Sequence, residues 1–352
     1  MFIHIMTSEN YYHISYIQLI ERNFPTNEHQ FIFRSKSFNG NNYMSTTLVK
    51  TKSNFISLFL FIPKLIKANK IYLHYLPYGN SLPFWLIFSI FSKKLVWIFW
   101  GGDIYIYREK NKNLKTRFYE KCRKIIIRRL KNIGGFLTED YELIKEIYNT
   151  NAVYTKVIYP IPVDFSALST NNIPKEGKTI HILVGNSADP SNNHFELLNQ
   201  LSIFKDEDIQ LICPLSYGHY NDYLLKVKEE GFRIFGDKFK PLLELLSTYD
   251  YGKILESVDI AVMNHQRQQG LGNLLSVLSL GKKVFVRSDT TSFNFFKAEN
   301  ITIWDTLEIK NLSFESFVAQ NPDDAIRNKN LVLSAFSEQR YKELWNNIFS
   351  LK

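Results

Sequence analysis

The chain has 352 residues, 45% apolar and 15% aromatic, which is longer than a typical single domain and enough to bury sizeable cores; two domains are expected. The formal net charge of +9 is unevenly spread, and the two cysteines, Cys122 and Cys213, lack CxxC or Cys/His spacing, which argues against a disulfide framework or a zinc site. Met1 to Met6 has no basic leader or cleavage-type end, so no secretory signal is expected and a reducing cytosol fits.

In chain order, Phe2 to Met6 predicts a strand and Asn10 to Asn23 a helix carrying Tyr12, Tyr16, Ile17 and Ile20. Strands follow at 31–33 and 70–74, with an apolar helix over 53–68 between them. The longest apolar region, Leu82 to Trp100, is split by Lys93 and Lys94 into runs of about eleven and six residues, too short to span a bilayer, and predicts a helix (82–91) then a strand (95–100). A long helix over 112–130, a strand at 135–138 and a helix over 140–148 complete the first half. Breaker-rich stretches at 159–163 and 171–177 place an interdomain linker. A second alternation then predicts strands at 180–184, 209–213, 232–235, 258–263 and 283–286. Its helices are expected at 194–204, 219–230, 241–247, 250–257, 272–280 and 292–298, followed by a helical tail over 323–350 interrupted near 334–338. Such alternation is the signature of doubly wound parallel sheets. The expected fold class is therefore α/β, with two Rossmann-like domains (1–165 and 175–335) facing each other across a cleft and a C-terminal helix (336–352) packing back toward the first.

Three stretches carry chemistry. After the apolar run Ile180 to Val184, Gly185 opens a loop of small polar residues, including Asn186, Ser187, Asp189, Ser191 and Asn192, that leads into a helix. Such a turn leaves N–H groups free at a helix start, suited to a diphosphate, although without a Walker lysine or a full G-x-G-x-x-G it also reads as an ordinary capped connection. After Met263, a loop carries His265, Arg267, Gln268 and Gln269, and Gly270 and Gly272 then allow close backbone approach before a helix. Arg267 offers a positive fork for diphosphate, and the two glutamine amides suit hydroxyl or acetamido groups. In the first half, Trp97 to Tyr105 sets Asp103 past a strand after two glycines, a candidate general base whose bland alternative is a hydrogen-bond anchor; His74, ending another strand, is the second candidate. No carboxylate pair, His cluster or Asp-x-Asp marks a metal site, so no metal or cofactor is expected and leaving-group charge falls to Arg267 and helix dipoles. Arg108 to Lys131 holds eleven Lys or Arg against Glu109 and Glu120, interleaved with Leu114, Phe118, Cys122, Ile125, Ile126 and Ile127. One apolar face with a basic remainder, Lys121, Arg128 and Arg129 among it, suits an anionic membrane surface, whereas no nucleic-acid module accompanies it.

Taken together, Ile182-Leu-Val-Gly-Asn-Ser187, Phe99-Trp-Gly-Gly-Asp103 and Arg267-Gln-Gln-Gly-Leu-Gly-Asn273 resemble glycosyltransferase family 56, the dTDP-Fuc4NAc:lipid II Fuc4NAc transferases of enterobacterial common antigen synthesis. The match follows the same order over most of the chain and is most specific in the second half. The resemblance implies a GT-B architecture, a dTDP-activated deoxy-amino-sugar donor and a polyprenyl-diphosphate-linked glycan acceptor. It also implies peripheral attachment to the cytoplasmic face of the bacterial inner membrane. It assigns Gly185, Asn186 and Ser187 to one donor loop, Arg267, Gln268, Gln269, Gly270, Gly272 and Asn273 to the other, and Asp103 to a Trp-Gly-x-Asp motif. The loop His265 to Gln269 lacks the acidic pair of retaining GT-B enzymes, which favours an inverting displacement. Rival readings are a GT-B transferase using another nucleotide sugar in lipopolysaccharide or capsule assembly, and a non-catalytic membrane-associated scaffold.

Overall fold

The computed structural model describes residues 1–6, 10–33, 48–50, 59–77, 79–108, 113–161, 179–218 and 221–351. The chain divides into two compact units, Met1–Ile161 with Ser337–Lys352, and Pro162–Phe336. The stretch expected as a linker at 171–177 and the start of the helix expected over 53–68 lie outside the described residues.

The first unit is built on one sheet of β1 (Phe2–Met6), β2 (His29–Phe33), β3 (Leu48–Lys50), β4 (Lys70–His74), β5 (Leu95–Ile98), β6 (Asn132–Gly135) and β7 (Val153–Lys156). The order is β3-β2-β1-β4-β5-β6-β7, with every neighbouring pair parallel. Its central strands are continuous apolar runs such as Leu95-Val-Trp-Ile98, buried at every position, because helices cover both faces. The second unit repeats the plan with β8 (Ile180–Val184), β9 (Ile209–Pro214), β10 (Phe239–Leu242), β11 (Ile260–Met263), β12 (Lys283–Val286) and β13 (Trp304–Asp305), all parallel, in the order β10-β9-β8-β11-β12-β13. Strand order reverses between β1 and β4 in one sheet and between β8 and β11 in the other, so each sheet opens a crevice at the carboxyl ends of those two strands.

The C-terminal helix Glu338–Phe349 belongs to the first unit. Trp345 Nε1 donates to Ile158 O (2.8 Å), Tyr72 OH donates to Ile348 O (3.1 Å), and the Trp345 and Tyr16 rings stand 4.3 Å apart.

Two of the departures from the sequence expectation lie beside glycines. The strand expected at 135–138 runs instead over Asn132–Gly135, with Gly134 and Gly135 inside it. A Cβ at Gly134 would lie 2.6 Å from Ile348 Cδ1, and one at Gly135 only 2.0 Å from the Phe99 ring, so both glycines are notches for packed side chains, not breaks. Likewise the strand expected at 232–235 is the end of helix Asn221–Phe235, and the residues expected as a helix at 241–247 contain the end of β10 and no helix. Strands β3, β7, β10 and β13 have no counterpart among the strands expected from the sequence. They are edge strands, and β7 shows no fully buried position, so the two-sided apolar run that marks a central strand is missing.

Gly231 makes the point testable. Its missing Cβ would meet the fully buried Phe239 ring at 2.5 Å. Helix propensity alone favours Ala by about 1 kcal/mol, whereas overpacking costs about 1–3 kcal/mol. Gly231→Ala should therefore lower stability by about 1 kcal/mol net, read as a lower urea midpoint; a raised midpoint would show that helix propensity outweighs the notch.

Candidate functional site

In the second unit the loops following β8 and β11 flank the crevice at the sheet's reversal point. The first is fixed at its root by Gly185, whose N–H donates to Val262 O (3.0 Å) and whose φ of +67° is left-handed. A Cβ there would sit 2.8 Å from Asn192 Oδ1 and 2.9 Å from His194 Nε2. Gly270, with φ +64°, closes the second loop, and a Cβ on it would meet His265 Cε1 at 2.8 Å and Asn186 Cγ at 3.1 Å. Gly185 thus lets its own loop fold back on itself, and Gly270 lets the second loop settle against Asn186 of the first.

The carboxamide of Asn192, 0% exposed, joins the two loops. Its Oδ1 accepts from Asn186 N (2.9 Å) and from His265 Nε2 (2.9 Å), and its Nδ2 donates to Ser187 Oγ (3.1 Å) and Asp189 O (3.0 Å). Because a backbone N–H fixes Oδ1 as the acceptor, His265 must carry its proton on Nε2. Gln269 adds a second tie, with Nε2 donating to Asn186 Oδ1 (3.1 Å) and Ser187 Oγ (3.3 Å) and Oε1 accepting from Ser191 Oγ. Gln266 N also donates to Ser191 O (3.1 Å). Asn186, Ser187, Gln269 and Gly270 are therefore brought together as expected partners in one place, but the amide of Gln269 is turned toward the neighbouring loop. Asn273 lies apart, its Nδ2 donating to Tyr251 OH (3.0 Å). Gln268 contributes its carbonyl, which accepts from Arg267 Nη1 (3.2 Å). Gly272 is buried in the first turn of the next helix, its carbonyl accepting from Ser276 Oγ (2.8 Å).

Charge is distributed unevenly around this knot. Burial first, then Arg267 and His194, pushes the His265 imidazole down to about 3, and burial pushes His194 down to about 4, so both rings are neutral near pH 7. Arg267 is partly exposed and loosely paired with Asp189 (3.7 Å). The helices His194–Leu201 and Leu271–Ser279 both start from left-handed residues, Asn193 and Gly270, with no side-chain cap bond. At the first helix start His194 N donates to Tyr223 OH (3.2 Å), whereas the second starts from Gly270 with no side-chain cap bond, so the two loops carry two neutral imidazoles, one guanidinium and one helix N-terminus without a side-chain cap.

Two groups at this edge escaped the sequence reading. Asn264 Oδ1, 0% exposed, accepts from Thr306 Oγ1 (2.8 Å) and Arg287 Nη1 (3.4 Å), while Arg287 pairs with Glu196 (2.8 Å) and with Asp289 (2.9 Å). Tyr217, 49% exposed, accepts from Asn186 Nδ2 (2.7 Å) and presents an aromatic face after β9. Both follow strands at the same edge, a position that periodicity locates only once the strand order is known.

In the first unit Asp103 is 0% exposed, and its carboxylate is occupied internally. Oδ1 accepts from Trp100 N (2.7 Å), and Oδ2 accepts from Trp97 Nε1 (2.7 Å) and Leu76 N (2.8 Å). Burial pushes this carboxyl up to about 6 against the opposing pull of those donors and of Arg123, whose Nη2 donates to Asp103 O (2.6 Å). The geometry gives Asp103 the anchoring role, tying the turn after β4 to the turn after β5. His74 is also 0% exposed, and Asp103 and His74 share no direct hydrogen bond among those described; His74 bonds instead to His4 (2.9 Å) and to Tyr159.

The basic helix spans Leu114–Arg129 and does not have a single apolar face. Cys122, Ile126 and Ile127 face the core, whereas Leu114, Phe118 and Ile125 are 84%, 52% and 41% exposed. Arg123 is buried, Arg128 Nε donates to Tyr148 O (2.9 Å), and Arg129 Nη1 donates to Ser89 Oγ (3.1 Å), so these cations are partly committed inside the unit while Lys121 is exposed. Among the described residues, no helix is long and apolar enough to cross a membrane.

Residues 23–351 match the family model described as 4-alpha-L-fucosyltransferase, glycosyl transferase group 56. Solved structures similar to this chain include HepE from Anabaena in complex with UDP and glucose, at 11% identity, TM-score 0.70 and 100% of each chain covered. A sucrose-phosphate synthase from Thermosynechococcus elongatus is similar at 9% identity and TM-score 0.72, again over 100% of each chain. A glycosyltransferase from Rickettsia africae is similar at 12% identity and TM-score 0.69, over 99% of this chain and 97% of that one. At such identities the likeness is one of fold, and the fold is GT-B.

Removing the Asn192 carboxamide should expose its importance to the site. Asn192→Ala leaves Asn186 N and His265 Nε2 as buried donors without their acceptor, each costing about 1–3 kcal/mol. The expected result is an unfolding free energy lowered by at least about 1 kcal/mol, read from the urea transition, with the first unit's near-UV aromatic signal retained. An unchanged midpoint would mean that the loops are held elsewhere.

Proposed function

This chain belongs to the 4-alpha-L-fucosyltransferase family, glycosyl transferase group 56, and as a glycosyltransferase of GT-B fold we propose that it moves a Fuc4NAc-like deoxy-amino sugar from a dTDP-sugar to a polyprenyl-diphosphate-linked glycan. The observation that supports the donor half of this reading is the pair of loops tied by Asn192, which carry Arg267 and lead into the helices His194–Leu201 and Leu271–Ser279. In this reading the backbone at Gly185–Ser187 and Gly270–Asn273 receives the diphosphate, Arg267 exchanges its long contact with Asp189 for a phosphate oxygen, and Gln268 and Gln269 bound the sugar. Tyr217 offers a stacking face for the pyrimidine. The acceptor is assigned to the carboxyl edge of the first sheet, where Asp103 holds the turns in register and His74 stands behind them as a buried proton acceptor. Loop 264–270 carries no carboxylate, and nearby Asp189 and Glu196 are engaged by Arg267 and Arg287, which supports a single inverting displacement.

Calorimetry of the full chain with dTDP, UDP and GDP tests the donor. Binding of dTDP is expected, and Arg267→Ala should weaken it by about 1.5–3 kcal/mol, the range for a hydrogen bond to a charged group. Preference for another nucleotide would favour a different surface-glycan transferase, and no nucleotide binding at all would favour a scaffold.

Attachment to the cytoplasmic face of an anionic inner membrane is the second part of the proposal. Ile87 and Ile90, 69% and 71% exposed, lie on the segment that packs against helix Leu114–Arg129, which itself exposes Leu114 and Phe118 beside Lys121 and Lys124. Exposed apolar side chains among lysines suit anionic headgroups, each basic residue contributing about 1 kcal/mol near the surface. Leu114→Ser, Phe118→Ser and Lys121→Glu combined should release the protein from vesicles rich in anionic lipid while dTDP affinity is unchanged. Retained vesicle binding would assign the patch to ordinary solvated surface.

A further inference from the structure

Three histidines form a continuous file on one face of the first sheet. In the parallel register Phe2 pairs with His29, His4 with Tyr72 and Met6 with His74, so side chains of the same parity place His29 near the amino ends of the strands, His4 midway and His74 at the carboxyl ends. His29 Nδ1 is 3.0 Å from His4 Nε2, His4 Nδ1 is 2.9 Å from His74 Nε2, and His74 Nδ1 meets the Tyr159 hydroxyl. His4 and His74 are 0% exposed, His29 is 2% exposed, and Tyr159 is half-buried against Trp100, with ring centroids 4.4 Å apart. Trp345 stacks near His74 and Phe349 near His29, so the C-terminal helix seals the file with apolar rings. Also facing it are Tyr16, whose hydroxyl is 3.3 Å from His4 Nδ1, His13 beside His74, Tyr72 beside His4, and the chain's amino terminus beside His29.

A neutral imidazole carries one N–H, so a bonded file of three has two self-consistent states, all Nε2–H or all Nδ1–H, which differ by the passage of one proton. Apolar packing alone needs no such alignment, and a buried imidazole without partners would be costly. We propose that Tyr159, His74, His4 and His29 form the proton path of the transfer reaction, with the Tyr159 hydroxyl as the group that meets the sugar-acceptor hydroxyl; this rests on the assignment of the acceptor to the first unit. As the acceptor oxygen bonds to the anomeric carbon, the bond from that carbon to the diphosphate breaks and its electron pair leaves on the diphosphate. The acceptor's proton passes to Tyr159 oxygen, and the Tyr159 proton to His74 Nδ1. His74 then gives its Nε2 proton to His4 Nδ1, His4 gives its Nε2 proton to His29 Nδ1, and His29 releases its Nε2 proton to water. Every ring ends neutral, which suits a site where burial holds His4 and His74 well below the ordinary histidine range.

Two measurements on the full chain decide the matter. With histidines 15N-labelled, the three rings should show the same tautomer and N···N couplings across both junctions; opposed tautomers at either junction overturn the path. Kinetics supply the second arm, with His29→Gln at the outlet end and Tyr159→Phe at the inlet. Both should lower kcat per folded molecule at least about tenfold, within or below the usual range for lost proton transfer, with dTDP-sugar KM unchanged and the solvent deuterium isotope effect altered. Wild-type kcat in His29→Gln, with folding verified by its thermal midpoint, overturns the path, since a merely local base at His74 would not feel that change. A wild-type enzyme that binds dTDP yet transfers to no lipid-linked acceptor would overturn the acceptor assignment instead, a result distinguishable because the tautomer measurement needs no acceptor.

Discussion

One buried carboxamide sets the geometry of the second unit's candidate site. Asn192 uses both donors and its acceptor to hold a backbone N–H, a histidine, a serine and a carbonyl from two loops that are 70 or more residues apart in places. The loops fold tightly because Gly185 and Gly270 take left-handed backbone conformations where a Cβ would collide with Asn192 and His194 within the first loop, and with His265 and, across to the first loop, Asn186. Satisfied buried polar groups fix one arrangement, because any slip would strand a donor away from water.

The first unit uses the same device for a different end. Asp103 gathers one donor from each of the turns after β4 and β5 and a third from Trp97 of β5, and its carbonyl accepts from Arg123, so one side chain ties the carboxyl ends of β4 and β5 together. Behind that edge lies a file of neutral imidazoles, ringed by Tyr16, Tyr72, Trp345 and Phe349. The C-terminal helix is essential to this environment, since it supplies the aromatic cover although it follows the whole second unit in sequence. Both units thus carry buried polar ties at the carboxyl ends of their strands, where open parallel sheets bind ligands, and the first unit adds a polar file along one face of its sheet.

The alternation of apolar runs with amphipathic segments was enough to establish two parallel α/β units, and the glycine-bearing loops after Val184 and Met263 were recognisable by their residues alone. Central strands are legible because burial on both faces demands continuous apolar runs such as Ile180 to Val184. The loop residues are legible because only small, polar or glycine side chains tolerate tight approach to backbone. Edge strands β7 and β13 carry no such demand, and Gly134, Gly135 and Gly231 look like breaks until the rings and methyl groups that fill them are seen. Tertiary structure alone decided that Gln269 turns inward to Asn186, that Asp103 is enclosed, that Arg123 is buried in a helix otherwise rich in exposed cations, and that His4, His29 and His74 meet. The physical reason is common to all of them: whether a polar side chain binds a ligand or another residue depends on partners brought from distant segments, and sequence spacing carries no information about those until the strand order has folded them together.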